Sequence, residues 1–212
     1  MSLRRKKILI TAGPTWVPLD SVRVMSNTAS GETGILLAEQ LTALGARVTL
    51  LMGPVLSGRT IPKRVRKISF CFFNELKERL TKELKSRRYD AVIHAAAVSD
   101  FAPAQPLKGK YTSDKRLTIT LIPTTKIIDS IKKINPRLHV IGFKFEPEAK
   151  HSFLIAEARA LMKRARLDLV VANTTLHRAY QAYLVSAEAL IGPFRDKKAL
   201  VNNLCNVLGK IL

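Results

Sequence analysis

What most constrains this chain is that its first strand does not run straight into its first helix. Residues 8–10, I-L-I, form a short apolar strand that ends in T-A-G-P-T over 11–15. A helix pattern begins only at S-G-E-T-G over 30–34, after an arm that carries Arg23 and Asn27. Glycine turns therefore stand at both ends of that arm, Gly13 at one and Gly31 and Gly34 at the other, where an ordinary dinucleotide-binding fold has a single turn. Glycine lets backbone N–H groups approach a phosphate closely, and a helix N-terminus adds favourable partial charge. The segment 22–34, V-R-V-M-S-N-T-A-S-G-E-T-G, thus predicts a nucleotide site with an additional arm for a second ligand.

The rest of the chain alternates strand and helix. Strands are expected over 8–11, 47–52, 65–73, 91–97, 117–121, 140–145 and 168–172, with a hairpin or edge pair over 183–187 and 189–191. A helix over 32–44 has Gly45 as its C-terminal stop, and a second follows an Asn74 cap with Leu76, Leu80 and Leu84 on one face. Further helices are expected over 126–133, 150–166 and 197–212. The near-continuous apolar run 91–97 is what a parallel strand covered on both faces requires. Such βα alternation predicts an α/β fold. The expected form is a Rossmann-like, doubly wound, mostly parallel sheet with helices on both faces, in a single domain over 1–212. Ligands bind such sheets at the carboxyl ends of the strands, and the unusual tripeptides fall there: T-A-G after the first strand, V-S-D after Ala97, and A-N after Val171. The irregular stretch 99–116, with three lysines, reads as functional or mobile.

Composition excludes several classes. A hydrophobic content of 47% with ten glycines and ten prolines is that of a globular chain. Charges interrupt every apolar run before the roughly 18 residues a membrane span needs. The N-terminus has no long apolar signal core, and Cys71 and Cys205 have neither disulfide nor metal spacing, so a cytoplasmic location is expected. His94, inside an apolar strand, and Cys71 read as core residues, while His139, His151 and His177 have no metal-ligand spacing. The formal charge of +20 is extreme, with basic clusters at 4–7, 63–67, 82–88 and 163–166. Such a field attracts nucleic acid or small polyanions. No aromatics interleave the clusters and no nucleic-acid-binding signature accompanies them. Solvated helix faces with small-anion attraction are therefore favoured over nucleic-acid binding.

The G-x-G-x-x-G fingerprint is absent, because Pro14 stands where a short glycine loop would continue. Tyr111 and Lys115 match the Y-x-x-x-K spacing of short-chain dehydrogenases, but they follow Gly109 in a turn-rich segment where no helix would bring them together. Ala95, Ala96 and Ala97 at a strand end let a ligand lie against the backbone, and Asp100 can accept from hydroxyls or amides; a packed strand followed by a turn-forming Asp has the same sequence. Lys108 and Lys110 flank Gly109 in a loop that could neutralise triphosphate charge or simply be solvated. An NAD(P)-binding dehydrogenase-like protein and a basic nucleic-acid-binding module stay open as competing readings.

The ordered set V-R-V-M-S-N-T-A-S-G-E-T-G, A-A-A-V-S-D-F, G-K-Y-T-S, I-P-T-T-K-I-I, I-G-F-K-F-E and V-V-A-N resembles phosphopantothenoylcysteine synthetase over about residues 7–173, in its stand-alone form without a flavin-containing half. The resemblance implies a ligase of coenzyme A biosynthesis. A nucleoside triphosphate, CTP or ATP with magnesium, activates the carboxylate of 4′-phosphopantothenate as an acyl-nucleotide, releasing pyrophosphate. The amine of L-cysteine then forms the amide. It also implies a homodimer; no membrane partner is expected, and a nucleic-acid partner is disfavoured. By the same resemblance, Asn27 contacts the pantothenate portion and the activated carbonyl, and Ala96, Ala97 and Asp100 contact the phosphopantothenate. Arg23 reaches the substrate phosphate from the dimer partner. Gly13, Ala29, Gly31 and Gly34 cradle the nucleotide, with Phe143 and Asn173 near base and ribose. Lys110 matches the first lysine of the family's K-x-K-K and is expected to serve catalysis by neutralising triphosphate, with Lys108 or Lys115 supplying the charge that Y-T-S lacks. After Asn173, T-T-L-H-R-A-Y departs from the family's glycine-rich turn, which leaves the choice of base open.

Overall fold

The computed structural model describes residues 2–55, 58–105, 109–112, 114 and 116–212. In chain order the elements begin with β1 (Lys7–Ala12), β2 (Trp16–Pro18), β3 (Val24–Ser26), α1 (Glu32–Ala43), β4 (Arg47–Met52) and β5 (Arg66–Ser69). There follow α2 (Phe73–Ser86), β6 (Ala91–His94), β7 (Phe101–Pro103), β8 (Leu121–Pro123), α3 (Ile128–Ile134) and β9 (His139–Phe145). The chain closes with α4 (His151–Ala165), β10 (Leu169–Leu176), β11 (Ala179–Val185), β12 (Leu190–Phe194) and α5 (Lys197–Ile211).

One sheet organises the molecule, in the order β12-β11-β10-β9-β6-β1-β4-β5. From β5 to β10 neighbouring strands pair parallel, and β11 and β12 extend the sheet antiparallel. The parallel part is the doubly wound arrangement expected from the alternation, with its direction of winding reversed between β1 and β6. Side chains alternate across the strands. Ile8, Ile10 and Ile93 pack with Ile35, Leu37 and Leu204 of α1 and α5, while Leu9 and Val92 pack with Leu76, Leu80 and Leu154 of α2 and α4. Both faces are therefore buried, which is why these strands read as unbroken apolar runs.

Several boundaries differ from the sequence reading, each for a local reason. The strand expected over 65–73 is only Arg66–Ser69, and α2 starts at Phe73 rather than behind an Asn74 cap. Glu75 reaches back to accept from the Cys71 N–H at 2.7 Å and the Phe72 N–H at 3.4 Å, so a first-turn glutamate caps this helix. The half-buried strand expected over 117–121 is not formed: 117–120 are irregular, and a short exposed β8 begins only at Leu121, paired with β7 in a two-stranded ribbon. The strand expected to end at 172 runs on to Leu176 and turns into β11 through His177 and Arg178, both at positive φ (50° and 64°). That backbone matches the twist of a two-residue hairpin, but without Gly or Asn it leaves no turn signal in the sequence. The hairpin expected over 183–191 is β11 with β12, displaced toward both termini.

Candidate functional site

The site lies where the winding reverses. Beyond β1 and β6 the two chains continue side by side: the Ala95 N–H donates to Thr11 O at 3.0 Å and the Ala97 N–H to Gly13 O at 3.0 Å, while the Thr15 N–H donates back to Ala97 O at 3.2 Å. Gly13 turns at φ +78°, and a Cβ there would press on Gly53 and Val55 at 3.1–3.2 Å. The chain then leaves as the arm, whose ribbon pairs Trp16–Pro18 with Val24–Ser26. It returns at Gly31, the N-cap of α1, at φ +70°. One turn into α1, Gly34 sits so close to β1 that an added Cβ would lie 2.2 Å from the Ala12 Cβ. These glycines stand where a dinucleotide fingerprint has its own, at a tight turn, at the helix head and at close helix–strand packing, although a Cβ at Gly31 would meet Met52 Cε at 2.6 Å, so packing holds that position too. The fingerprint absent from the linear sequence is assembled in space, with residues 14–30 inserted between its first and second glycine.

A cleft of about 1030 Å³ opens over this point. It brings together ten of the expected residues: Gly13, Asn27, Ala29, Gly31 and Gly34 from the first loop and helix, Ala96, Ala97 and Asp100 beyond β6, and Phe143 and Asn173 from β9 and β10. Asn27 Nδ2 donates to Ala97 O at 3.0 Å, which ties the arm to the β6 extension. The Asn173 Oδ1 is buried with no hydrogen-bond partner, an acceptor left for a donor outside the described residues.

Arg23 and Lys110 do not line this cleft. The carboxylate of Asp20 accepts from the Val22, Arg23 and Tyr111 N–H groups at 2.9, 2.8 and 3.2 Å, and the Ser21 N–H donates to Gly109 O at 3.1 Å. Arg23 completes the knot, with Nε 3.0 Å from Asp20 Oδ2 and Nη2 donating to Tyr111 O. Hydrogen bonding, first from the Val22 N–H, holds the Asp20 carboxyl below its ordinary pKa. Arg23 and Lys110 thus meet at the arm tip, and Lys110 is solvent-exposed. Lys108 and Lys115 lie outside the described residues.

Charge in the cleft is balanced. Lys126, Lys144, Arg164 and Lys197 line it together with Glu32, Asp100, Glu146 and Glu157. Lys126 Nζ is 2.5 Å from Asp100 Oδ1, and Lys197 Nζ is 2.6 Å from Glu32 Oε2. The Lys197 hydrogen bond holds Glu32 below its ordinary pKa. Lys144 stands between Glu146 and Glu157 at 2.8 and 3.0 Å; burial opposes its charge, but the two carboxylates outweigh that and raise its pKa. Below the floor, burial pushes His94 down to about 4, leaving a neutral ring whose Nδ1 is 2.9 Å from the Thr11 hydroxyl. The core reading of His94 therefore stands, although the ring also borders the cleft. Sequence reasoning assigned no role to Lys126. Its one signal is a cation just ahead of α3, where it opposes the helix dipole unless an anion such as Asp100 holds it.

The model of the DNA/pantothenate metabolism flavoprotein C-terminal domain matches residues 3–191. Over 174 residues the chain is 39% identical to the coenzyme A biosynthesis bifunctional protein CoaBC of Thermococcus kodakarensis, covering 82% of this chain and 42% of that protein. The chain spans about half or less of the length of the curated relatives it matches. Among solved structures, the C-terminal domain of a CoaBC protein matches with a TM-score of 0.80 at 26% identity, over 99% of this chain and 96% of that one. A mutant of Cab2, solved in complex with phosphopantothenate-cysteine, matches with a TM-score of 0.79 at 21% identity over 98% and 87% of the two chains, which shows a shared fold.

Proposed function

From the premise that this chain belongs to the DNA/pantothenate metabolism flavoprotein C-terminal-domain family, we propose that residues 1–212 act as one phosphopantothenate–cysteine ligase domain. The observation that carries the reading is the adjacency of two kinds of holding group in one cleft. The glycine turn and helix head of Gly13, Gly31 and Gly34 suit a triphosphate, and Asn27 with Ala96, Ala97 and Asp100 suits an acid with amide and hydroxyl groups. Carboxylate activation followed by amide formation needs two reactants held together and charge offset at the carbonyl oxygen, not a protein nucleophile. Asn27 is the group we assign to that oxygen. Magnesium would arrive with the nucleotide on phosphate oxygens and water, because the cleft carboxylates are already engaged: Glu32 by Lys197, Asp100 by Lys126, and Glu146 and Glu157 by Lys144.

The unpartnered Asn173 Oδ1 supports an exocyclic amino group as its ligand, which cytosine and adenine carry and uracil lacks. The test is to incubate the protein with 4′-phosphopantothenate, L-cysteine and magnesium, adding CTP, ATP or UTP separately, and to measure pyrophosphate. Release with CTP or ATP, dependent on 4′-phosphopantothenate, is expected; release of none sinks the assignment. Asn27→Asp is expected to slow transfer to cysteine more than activation, so that acyl-nucleotide accumulates.

A homodimer built on the ribbons is part of the same reading. Val22 at 62% exposure, Val24 at 40%, Phe101 at 48%, Leu121 at 40% and Ile122 at 48% all lie on or beside the β2–β3 and β7–β8 ribbons, with β2 packed against β7. Apolar surface so grouped marks an interaction site. An arm turned toward a second copy would also carry Arg23, absent from its own cleft, to the neighbour's substrate phosphate. Val22→Glu with Ile122→Glu is expected to yield a folded monomer in sedimentation equilibrium; a wild-type monomer at micromolar concentration refutes the dimer.

A further inference from the structure

The cleft is charge-balanced in a chain of formal charge +20, so the excess lies elsewhere, and the fold gathers much of it in one place. Parallel strands all start at the same edge of a sheet. Lys7, Arg47 and Arg66 are the first residues of β1, β4 and β5, and Arg88, Arg137 and Arg166 stand two or three residues ahead of β6, β9 and β10. Register brings Lys7 level with Arg47, whose N–H donates to Lys6 O at 2.8 Å, while Arg66 pairs with Thr49, two residues further along. The Asp90 N–H donates to Lys7 O at 2.8 Å, and the His139 N–H to Asp90 O at 3.2 Å. Six adjacent strands spaced about 4.8 Å apart make an edge roughly 24 Å long. Clusters far apart in sequence, read singly as solvated helix faces, become one row on the side of the sheet opposite the cleft.

Little on that edge cancels the charge. Arg66 gives its fork to Glu83 at 2.7 and 3.0 Å, and Arg87 shares the same carboxylate at 3.6 Å. Asp168 is held by Lys132 and the Val140 N–H, and Asp90 accepts from the Lys7 N–H. Arg47, Arg88, Arg137 and Arg166 are exposed and have no carboxylate within ion-pair distance among the described residues. Five of the six leading residues are arginines, whose planar fork matches phosphate oxygens.

We infer that this edge is a docking surface for the phosphate backbone of duplex nucleic acid, bound without regard to base sequence. A duplex fits better than a single strand because base stacking needs exposed rings, and the exposed Phe101, Phe145 and Phe153 all lie toward the cleft end. A lipid surface fits less well because the large exposed apolar side chains near this edge are Leu190 and Ile191, on the two-strand extension outside the arginine row, and Ile211 at the end of α5, while the others lie toward the cleft end.

The test is fluorescence anisotropy of the full chain with a labelled 20-base-pair DNA duplex across a salt series. Micromolar binding is expected near 0.1 M salt, and four to six phosphate contacts would give a log–log salt slope of about −4 to −5. The triple variant Arg47→Glu, Arg88→Glu, Arg137→Glu should bind at least tenfold more weakly, with the slope smaller by about 2.7. A charge-matched control, Lys150→Glu, Arg178→Glu, Lys198→Glu, at the other end of the molecule should lose much less. Circular dichroism and pyrophosphate release check that both variants are folded. Equal losses in the two variants would reduce the effect to net charge and overturn the surface, as would absence of duplex binding at 0.1 M salt. Tighter binding to vesicles of anionic phospholipid than to the duplex would also overturn it.

Discussion

Gly34→Ala separates the packing role of the split fingerprint from its ligand role. The new Cβ would stand 2.2 Å from the Ala12 Cβ, against roughly 3.5–4.0 Å for carbon atoms in ordinary contact, so α1 must retreat by more than about 1 Å. Overpacking of this kind costs about 1–3 kcal/mol, and the better helix propensity of alanine returns up to about 1 kcal/mol. A net loss of about 2 kcal/mol, or a Tm lower by roughly 4–8 °C, is expected for a chain of this size. Ala12→Gly alone should cost about 1 kcal/mol through strand entropy. With both changes the nearest remaining contacts of the new Cβ are 3.5 Å to the Ala12 Cα and 3.8 Å to Ile10 Cγ2, which are ordinary distances. The double variant should therefore regain nearly wild-type stability, a coupling of about 3 kcal/mol in a double-mutant cycle. Denaturant melts give the stabilities, and calorimetric titration with CTP and ATP gives nucleotide affinity. Affinity should fall at least tenfold in Gly34→Ala, because the Gly31–Thr33 N–H groups move with the helix, and it should return in the double variant. Additive stability losses, or nucleotide affinity unmoved by Gly34→Ala, would refute the reasoning.

Asn173→Leu removes a buried acceptor that has no partner, so the ligand-free protein should melt no lower than wild type while nucleotide affinity drops at least tenfold; a melt lower by more than about 1 kcal/mol would mean that Oδ1 is satisfied within the fold. His94 stays neutral in the fold down to about pH 4, whereas the unfolded chain takes up that proton near 6.5. Its effect on stability is absent above pH 6.5, sets in as pH falls through 6.5, and reaches a loss of about 3 kcal/mol by pH 4. In melts between pH 7.5 and 4, His94→Gln should lack that part of the decline, and parallel curves for the two proteins would disprove it. Glu83 is almost fully buried beneath Arg66, Arg87 and the Tyr89 hydroxyl. Glu83→Ala should destabilise by about 2–3 kcal/mol in denaturant melts, and a loss under 0.5 kcal/mol would place those charges in bulk-like solvent.

The sheet, its winding and the helix faces were legible because they rest on periodicity. Ile8, Leu9 and Ile10 alternate between two apolar layers, and a run such as 91–97 is affordable only inside a parallel sheet. What escaped the sequence depended on contacts between distant segments. The ribbons β2–β3 and β7–β8 are too short and exposed to have a pattern of their own. The extension of β10 hinges on two non-glycine residues at positive φ, which composition does not announce. Of the site, the residues carried by backbone geometry, from Gly13 to Asn173, converge as expected on one cleft. Lys110 does not, because Asp20 ties its segment to the arm tip, where Arg23, expected to serve a partner's cleft, also stands. Lys126, whose partner Asp100 is 26 residues away, could be recognised as part of the site only once the fold paired them.

The insertion point of the arm would let one loop serve the two ligands proposed for the cleft. A dinucleotide turn tolerates no extra residues between Gly31 and Gly34, because the helix head and its contact with Ala12 are rigidly spaced. Between Gly13 and Gly31 the constraint is different: both ends are pinned, one by the Ala97 hydrogen bonds and the other by α1 packing, so the chain between them can lengthen at the slow logarithmic cost of a larger loop. The ribbon stiffens that length, the Asp20 knot closes its tip, and Asn27, three residues before the helix loop ends at Ser30, is left bonded to the strand extension that flanks the nucleotide turn.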